Sequence, residues 1–144
     1  MQESSFKIFN ASAGSGKTYA LSKAYLKLVL SAPNSFKRIL AITFTNKAVN
    51  EMKHRILNSL YEFSVIDLSE KTPPLFEELL LELELTPESL KKISKLRLKE
   101  ILHNYAFFDI STIDKFTHRL IRTFARDLKI PQNFEVVLDT DLLL

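Results

Sequence analysis

Eight residues near the start, Ala11-Ser12-Ala13-Gly14-Ser15-Gly16-Lys17-Thr18, have the types and spacing for phosphate chemistry. The chain of 144 residues holds two glycines, Gly14 and Gly16, and both stand here. Glycine lets a backbone take positive φ or approach a ligand without a Cβ in the way. Lys17 and Thr18 follow directly, completing the x-x-x-x-G-K-[ST] end of a phosphate-binding loop. In such a loop the lysine is a mobile point charge for β- and γ-phosphates and the hydroxyl is a Mg²⁺ ligand. The first position of the strict pattern is glycine, and here it is Ala11.

The flanks have the periodicity such a loop needs. Phe6-Lys7-Ile8-Phe9 before it reads as a strand. After it, Ala20, Leu21, Ala24, Tyr25, Leu28 and Val29 recur at helical spacing, with Lys23 and Lys27 off that face. A strand, a tight loop and a helix N-terminus aim backbone N–H groups and the positive end of a helix dipole at one point, which suits an anion.

Composition narrows the chemistry. There is no cysteine, so neither a disulfide framework nor a thiolate metal site is available. His54, His103 and His118 are far apart, with no carboxylate at ligand spacing, and read as surface or packing residues. No apolar run is long enough to span a membrane, and no basic-then-apolar leader opens the chain. A cytoplasmic protein is expected. The net charge of +3 is unevenly spread: residues 1–61 hold nine Lys/Arg against Glu3 and Glu51, whereas 62–104 net −3 and 105–144 net −1. The basic surplus accompanies the phosphate loop and suits a polyanionic partner such as nucleic acid.

Further along, Arg38 to Phe44 is a near-continuous apolar run and reads as a buried parallel strand. Thr45 or Asn46 can cap a helix whose inner face is Ala48, Val49, Met52, Ile56, Leu57 and Leu60, with Lys47, Lys53 and Arg55 outside. Pro73-Pro74 is a break, and Leu75 to Leu85 is acidic, leucine-rich and helical in pattern. Thr86-Pro87-Glu88 reads as N-cap, first-turn proline and acidic first turn of a helix reaching about His103. Ala106 to Thr112 returns to strand character. Ile113 to Leu128 then reads as a helix with Ile113, Phe116, Leu120, Ile121 and Phe124 inward and Lys115, Arg119, Arg122 and Arg126 outward. The pattern predicts a helix-rich α/β fold with parallel strands near 6–9, 38–43 and 107–112.

With Thr43-Phe44-Thr45-Asn46-Lys47-Ala48, then Glu51-Met52 and Arg55-Ile56, the sequence resembles the UvrD/Rep-type superfamily 1 helicases. Ala11–Thr18 resembles their motif I, Ile39–Met52 motif Ia, and Ser111-Thr112-Ile113-Asp114-Lys115-Phe116 motif Ib, in the family's order. The early phosphate loop, the long helical gap between Ia and Ib, and Asp114 in place of a common histidine resemble the RecB/AddA branch. The resemblance implies a partial P-loop NTPase (RecA-like) domain: residues 1–144 as the N-terminal part of a helicase ATP-binding domain, 62–104 as a helical insertion, and 130–144 as the start of a truncated continuation.

It also implies ATP and Mg²⁺ as cofactors, held by Ala11, Ser12, Ala13, Gly14, Ser15, Gly16, Lys17 and Thr18, with Lys17 catalytic and Thr18 on the metal. DNA, single- or double-stranded, is the implied partner, with Phe44 under a base, Thr45 and Asn46 near the backbone, and Thr112 on phosphates. A role in repair or recombination goes with that branch, as does a helicase–nuclease partner subunit. For Phe44 the competing reading is a strand-end core residue, and for Thr112 a helix N-cap. The family's Asp-Glu pair is missing: Asp109 and Asp139 each end an apolar run, and neither is followed by Glu. This chain by itself is therefore expected to hydrolyse almost no ATP. The rival classes are a small P-loop kinase or other NTPase, and a non-catalytic nucleotide- or DNA-binding module. Asn46-Lys47 begins the guanine-reading N-K-x-D, but Val49 stands where its Asp must be.

Overall fold

A computed structural model of the chain describes Ile8, residues 16–131 and Phe134. In order come α1 (Lys17–Ser31), a 3₁₀ turn (Ser35–Arg38), β1 (Ala41–Thr43), α2 (Asn46–Val65), α3 (Pro74–Leu83), α4 (Pro87–His103), a second 3₁₀ turn (Tyr105–Phe107), β2 (Ile110–Thr112) and α5 (Ile113–Thr123). The two strands pair in parallel, with Ala41 opposite Ile110 and Thr43 opposite Thr112. Parallel pairing requires a long crossover, and α2, α3 and α4 form it. The expected strand at 6–9 lies outside the described residues apart from Ile8.

The strands are shorter than the apolar runs suggested. Arg38 and Phe107 belong to 3₁₀ turns, which sink Phe36 and Phe108 into the core. An apolar run records burial, and burial is satisfied here by a turn as well as by a strand. The helix starts were legible: Thr45, Thr86 and Thr112 each accept a hydrogen bond from the third following N–H. With no glycine after residue 16, the left-handed positions that glycine would favour fall to Asn34, Glu84 and Lys129. At Glu84 the turn closes as Leu85 N–H donates to the Leu80 carbonyl. Lys129 does the same for the turns after α5, which ends at Thr123 and not at Leu128.

The core lies among α1, α2, α3 and α4, with Leu26, Phe36, Ile56, Leu60, Phe63, Phe76, Leu79, Leu90 and Ile101 fully enclosed. Phe63 and Phe76 meet edge-on at 5.2 Å between centroids. The inner face of α1 is rotated from the expected one: Tyr25 and Val29 are buried as expected, joined by Ser22, Leu26 and Leu30, while Leu21 and Leu28 are exposed. Both stripes fit a 3.6-residue period, and packing against α2, α3 and α4 selects between them. On α2 the expected face holds and extends to Ser59 and Phe63, with Ala48 and Leu57 half-buried. No residue of α5 is buried, so its expected inward face is largely exposed, with Ile113, Leu120 and Phe124 open to solvent.

Charge joins α1 to α3. Lys23 pairs with Glu78 and with Glu82 (2.7 Å), Lys27 with Glu82 (3.0 Å), and the Tyr19 hydroxyl donates to Glu78 (3.0 Å). The Lys23 hydrogen bonds hold both carboxyls below their ordinary value and raise the ammonium above its own. A depressed carboxyl stabilises the fold above its unfolded titration range and stops doing so as pH falls through the folded value. Stability should therefore drop below about pH 4.5, the ordinary glutamate value, and also in high salt. Thermal melts at pH 7 and pH 4 should show this, and the double variant Glu78→Gln/Glu82→Gln should lose much of the dependence. Equal pH sensitivity in the variant would show that other groups carry it.

Candidate nucleotide and nucleic-acid interface

Of the residues read as a phosphate loop, Gly16, Lys17 and Thr18 are described and stand at the start of α1. Gly16 is its N-cap at φ +84°, and among the described residues no heavy atom beyond its chain neighbours lies within 4 Å of where a Cβ would stand. The left-handed backbone by itself asks for glycine there. Lys17 and Thr18 form the first turn and are exposed. Glycine brings no side chain to cap this end, and the first turn of α1 holds no acidic residue. At α2, α4 and α5 a threonine hydroxyl accepts from one N–H of the first turn, whereas α1 starts at a glycine, where the positive end of its helix dipole lies. Ala11 to Ser15 lie outside the described residues.

The second group of sequence-selected residues meets at the carboxyl ends of the strands. Parallel register brings the Thr43–Asn46 and Ser111–Thr112 segments side by side. Thr45 leaves β1 and caps α2, its hydroxyl accepting from Ala48 N–H at 3.1 Å. Thr112 leaves β2 and caps α5, accepting from Lys115 N–H at 3.2 Å. Between them lies a crevice of about 410 Å³ lined by Asn46, Asn50 and Lys53 of α2, Ser111 and Thr112 of β2, and Lys115 of α5 over Val49 and Ile110. Among the described residues no acidic side chain lines it. Ser111 Oγ is buried and has no hydrogen-bond partner among the described residues. The Phe44 ring stands 85% exposed beside this edge, so it is not a core residue. Thr112 is buried and fills the capping role foreseen for it.

A larger hollow of about 810 Å³ runs along Lys115, His118 and Arg122, and its described walls all belong to α5. His118 rests against Phe134, and His54 and His103 are exposed. Among the described residues no acidic–histidine group could hold a metal, and no helix is long and apolar enough to cross a membrane.

A family model, the UvrD/REP helicase N-terminal domain, matches residues 3–143. The chain belongs to that family. Similar proteins include the RecBCD enzyme subunit RecB of Haemophilus influenzae, 33% identical over 94% of this chain and 12% of that protein. An ATP-dependent helicase/nuclease subunit of Lactobacillus acidophilus is 30% identical over 92% of this chain and 9% of its own length. DNA helicase II of H. influenzae is 29% identical over 92% and 13%. This UvrD/REP domain thus spans about a tenth of the length of the relatives it matches.

Several crevice residues of the UvrD/REP domain escaped the sequence reading. Lys53, assigned there to the outer face of α2, lines the crevice, and its ammonium sits 5.1 Å from the Tyr105 ring centroid. Asn46, Asn50 and Lys53 follow an i, i+4, i+7 spacing, so one helical face carried the signal. Ser111 and Lys115 belong to the motif Ib stretch already singled out, and strand pairing brings them beside α2. Arg119, read as a solvated residue, makes two hydrogen bonds to the Asp109 carboxylate, at 2.6 and 3.2 Å. Asp109 is therefore engaged by an arginine. Asp139 lies outside the described residues.

Proposed function

We propose that this chain is the ATP-binding N-terminal part of a DNA helicase or translocase of the RecB/AddA type, acting on single-stranded DNA in repair or recombination. The observation that carries the reading is the crevice, where the Phe44–Asn46 and Ser111–Thr112 segments share one edge lined by Lys53 and Lys115. An exposed ring offers a face to any base, and hydroxyls, amides and ammonium groups hold phosphates without reading sequence. A motor that moves along DNA needs that indifference. Ligands of parallel α/β sheets bind at the carboxyl ends of the strands, where this crevice lies.

Gly16, Lys17 and Thr18 fit the phosphates of Mg-ATP: a left-handed glycine, an exposed ammonium and a hydroxyl at a helix start without a side-chain cap. Ala11 to Ser15 complete the loop in this reading. Lys17 would neutralise charge on the outer phosphates and Thr18 would hold the metal. Bound Mg-ATP would supply the hydrolysable phosphoanhydride that drives movement. The fold is then part of a RecA-like P-loop domain, with α3 and α4 belonging to an insertion at 62–104 and the chain continuing past 130–144. The exposed apolar side of α5 supports such a continuation. A cytoplasmic location and a helicase–nuclease partner subunit belong to the same proposal.

Phe44→Ala in the full-length protein should weaken single-stranded DNA binding by roughly 1–3 kcal/mol, the worth of one stacked base. Lys115→Ala should weaken it for every sequence alike and reduce the salt slope by about one unit. Fluorescence titration with labelled oligonucleotides at several salt concentrations measures both. Unchanged affinity in both variants would remove the crevice from the DNA track.

A further inference from the structure

A second groove lies away from the strand edge, between the C-terminal halves of α2 and α4. Its floor is apolar and open: Tyr61 and Val65 are each 58% exposed, Leu96 48% and Leu102 56%. Its volume is about 510 Å³. The ammonium-bearing Lys95 and Lys99 and the imidazole of His103 stand along its α4 side, and no acidic residue lines it among the described residues. The acidic Glu100 of α4 is turned elsewhere, accepting from Arg97 and from the Asn34 N–H. Four exposed apolar side chains in one concave strip are more than scattered surface residues, and a polar-rimmed strip of this kind marks a docking site.

The rim decides what fits. We propose that this groove takes an acidic amphipathic helix of a separate partner protein, its leucine-type side chains on Val65, Leu96 and Leu102 and its carboxylates on Lys95 and Lys99. A helix laid in a groove between two helices is anchored by residues at i, i+3, i+4 and i+7, and a cationic rim favours a partner of opposite sign. Nucleic acid suits the strip less well, because three of the four floor residues are aliphatic and offer no ring face to a base. The inference stands apart from the motor reading, since none of these residues lines the crevice or heads α1.

The test uses the full-length protein and a fluorescein-labelled 18-residue helical peptide with leucines at i, i+4, i+7 and i+11 flanked by glutamates. Anisotropy should report saturable binding. Leu96→Glu and the double variant Lys95→Glu/Lys99→Glu should each weaken it tenfold or more, while DNA-stimulated ATP hydrolysis stays unchanged. These side chains are at the surface, so the variants should melt as the parent does. A peptide of the same composition in scrambled order should bind at least tenfold more weakly. The proposal is overturned if the ordered peptide does not bind the full-length protein, as would happen if a later part of the same chain covers the groove. Binding that ignores the substitutions overturns it too, and so does displacement of the peptide by an oligonucleotide that itself loses affinity in the Lys95→Glu/Lys99→Glu variant.

Discussion

Lys17→Ala in the full-length protein is expected to abolish DNA-stimulated ATP hydrolysis, with a loss on the order of 10³-fold. Phosphoryl transfer is catalysed mainly by positioning and by charge placed against the transferring group, and a cation there is worth roughly 10³–10⁵ in related sites. Lys17 is the first residue of α1, directly after the left-handed Gly16, on an exposed helix start without a side-chain cap. Removing the ammonium leaves the backbone donors in place, so nucleotide binding should weaken far less than turnover. The two effects separate in a phosphate-release assay run beside a nucleotide titration. The 144-residue chain alone should stay near background with or without DNA. Robust turnover by it would mean a self-contained P-loop enzyme and would end the truncated-motor reading, because the arginine-bound Asp109 or Asp139 would then have to serve the metal.

Phe63→Ala should be the most destabilising single change considered, by about 3–5 kcal/mol, through lost burial and the cavity left behind. Phe63 lies fully enclosed on α2 and meets Phe76 of α3 edge-on. Domains hold only about 5–15 kcal/mol in all, so the variant should be partly unfolded at modest temperature. Phe44→Ala removes the same side chain from an exposed position and should change stability by no more than about 0.5 kcal/mol. Urea denaturation of the pair measures the contrast. Comparable losses in both would place Phe44 in the core and contradict its exposure. One residue type thus serves opposite ends, and only its surroundings tell which.

The local features were decided by the sequence. Helix starts at Thr45, Thr86 and Thr112 could be read because a cap is a hydrogen bond across three residues. The glycine of the phosphate loop could be read because positive φ at Gly16 is a property of one residue. The family could be read because three short motifs keep their order along the chain, and order survives without coordinates. What needed the tertiary structure involves partners distant in sequence. Which of two helical stripes α1 buries depends on α2, α3 and α4, not on the period that both stripes satisfy. Whether Phe44 is core or surface depends on what packs beside the end of β1. Asn46 and Thr112 share a crevice because Thr43 pairs with Thr112 across about 70 residues, which also draws in Ser111 and Lys115. The apolar groove between α2 and α4 has the same origin: Tyr61 and Val65 become its floor only when a helix some 35 residues later lies alongside them.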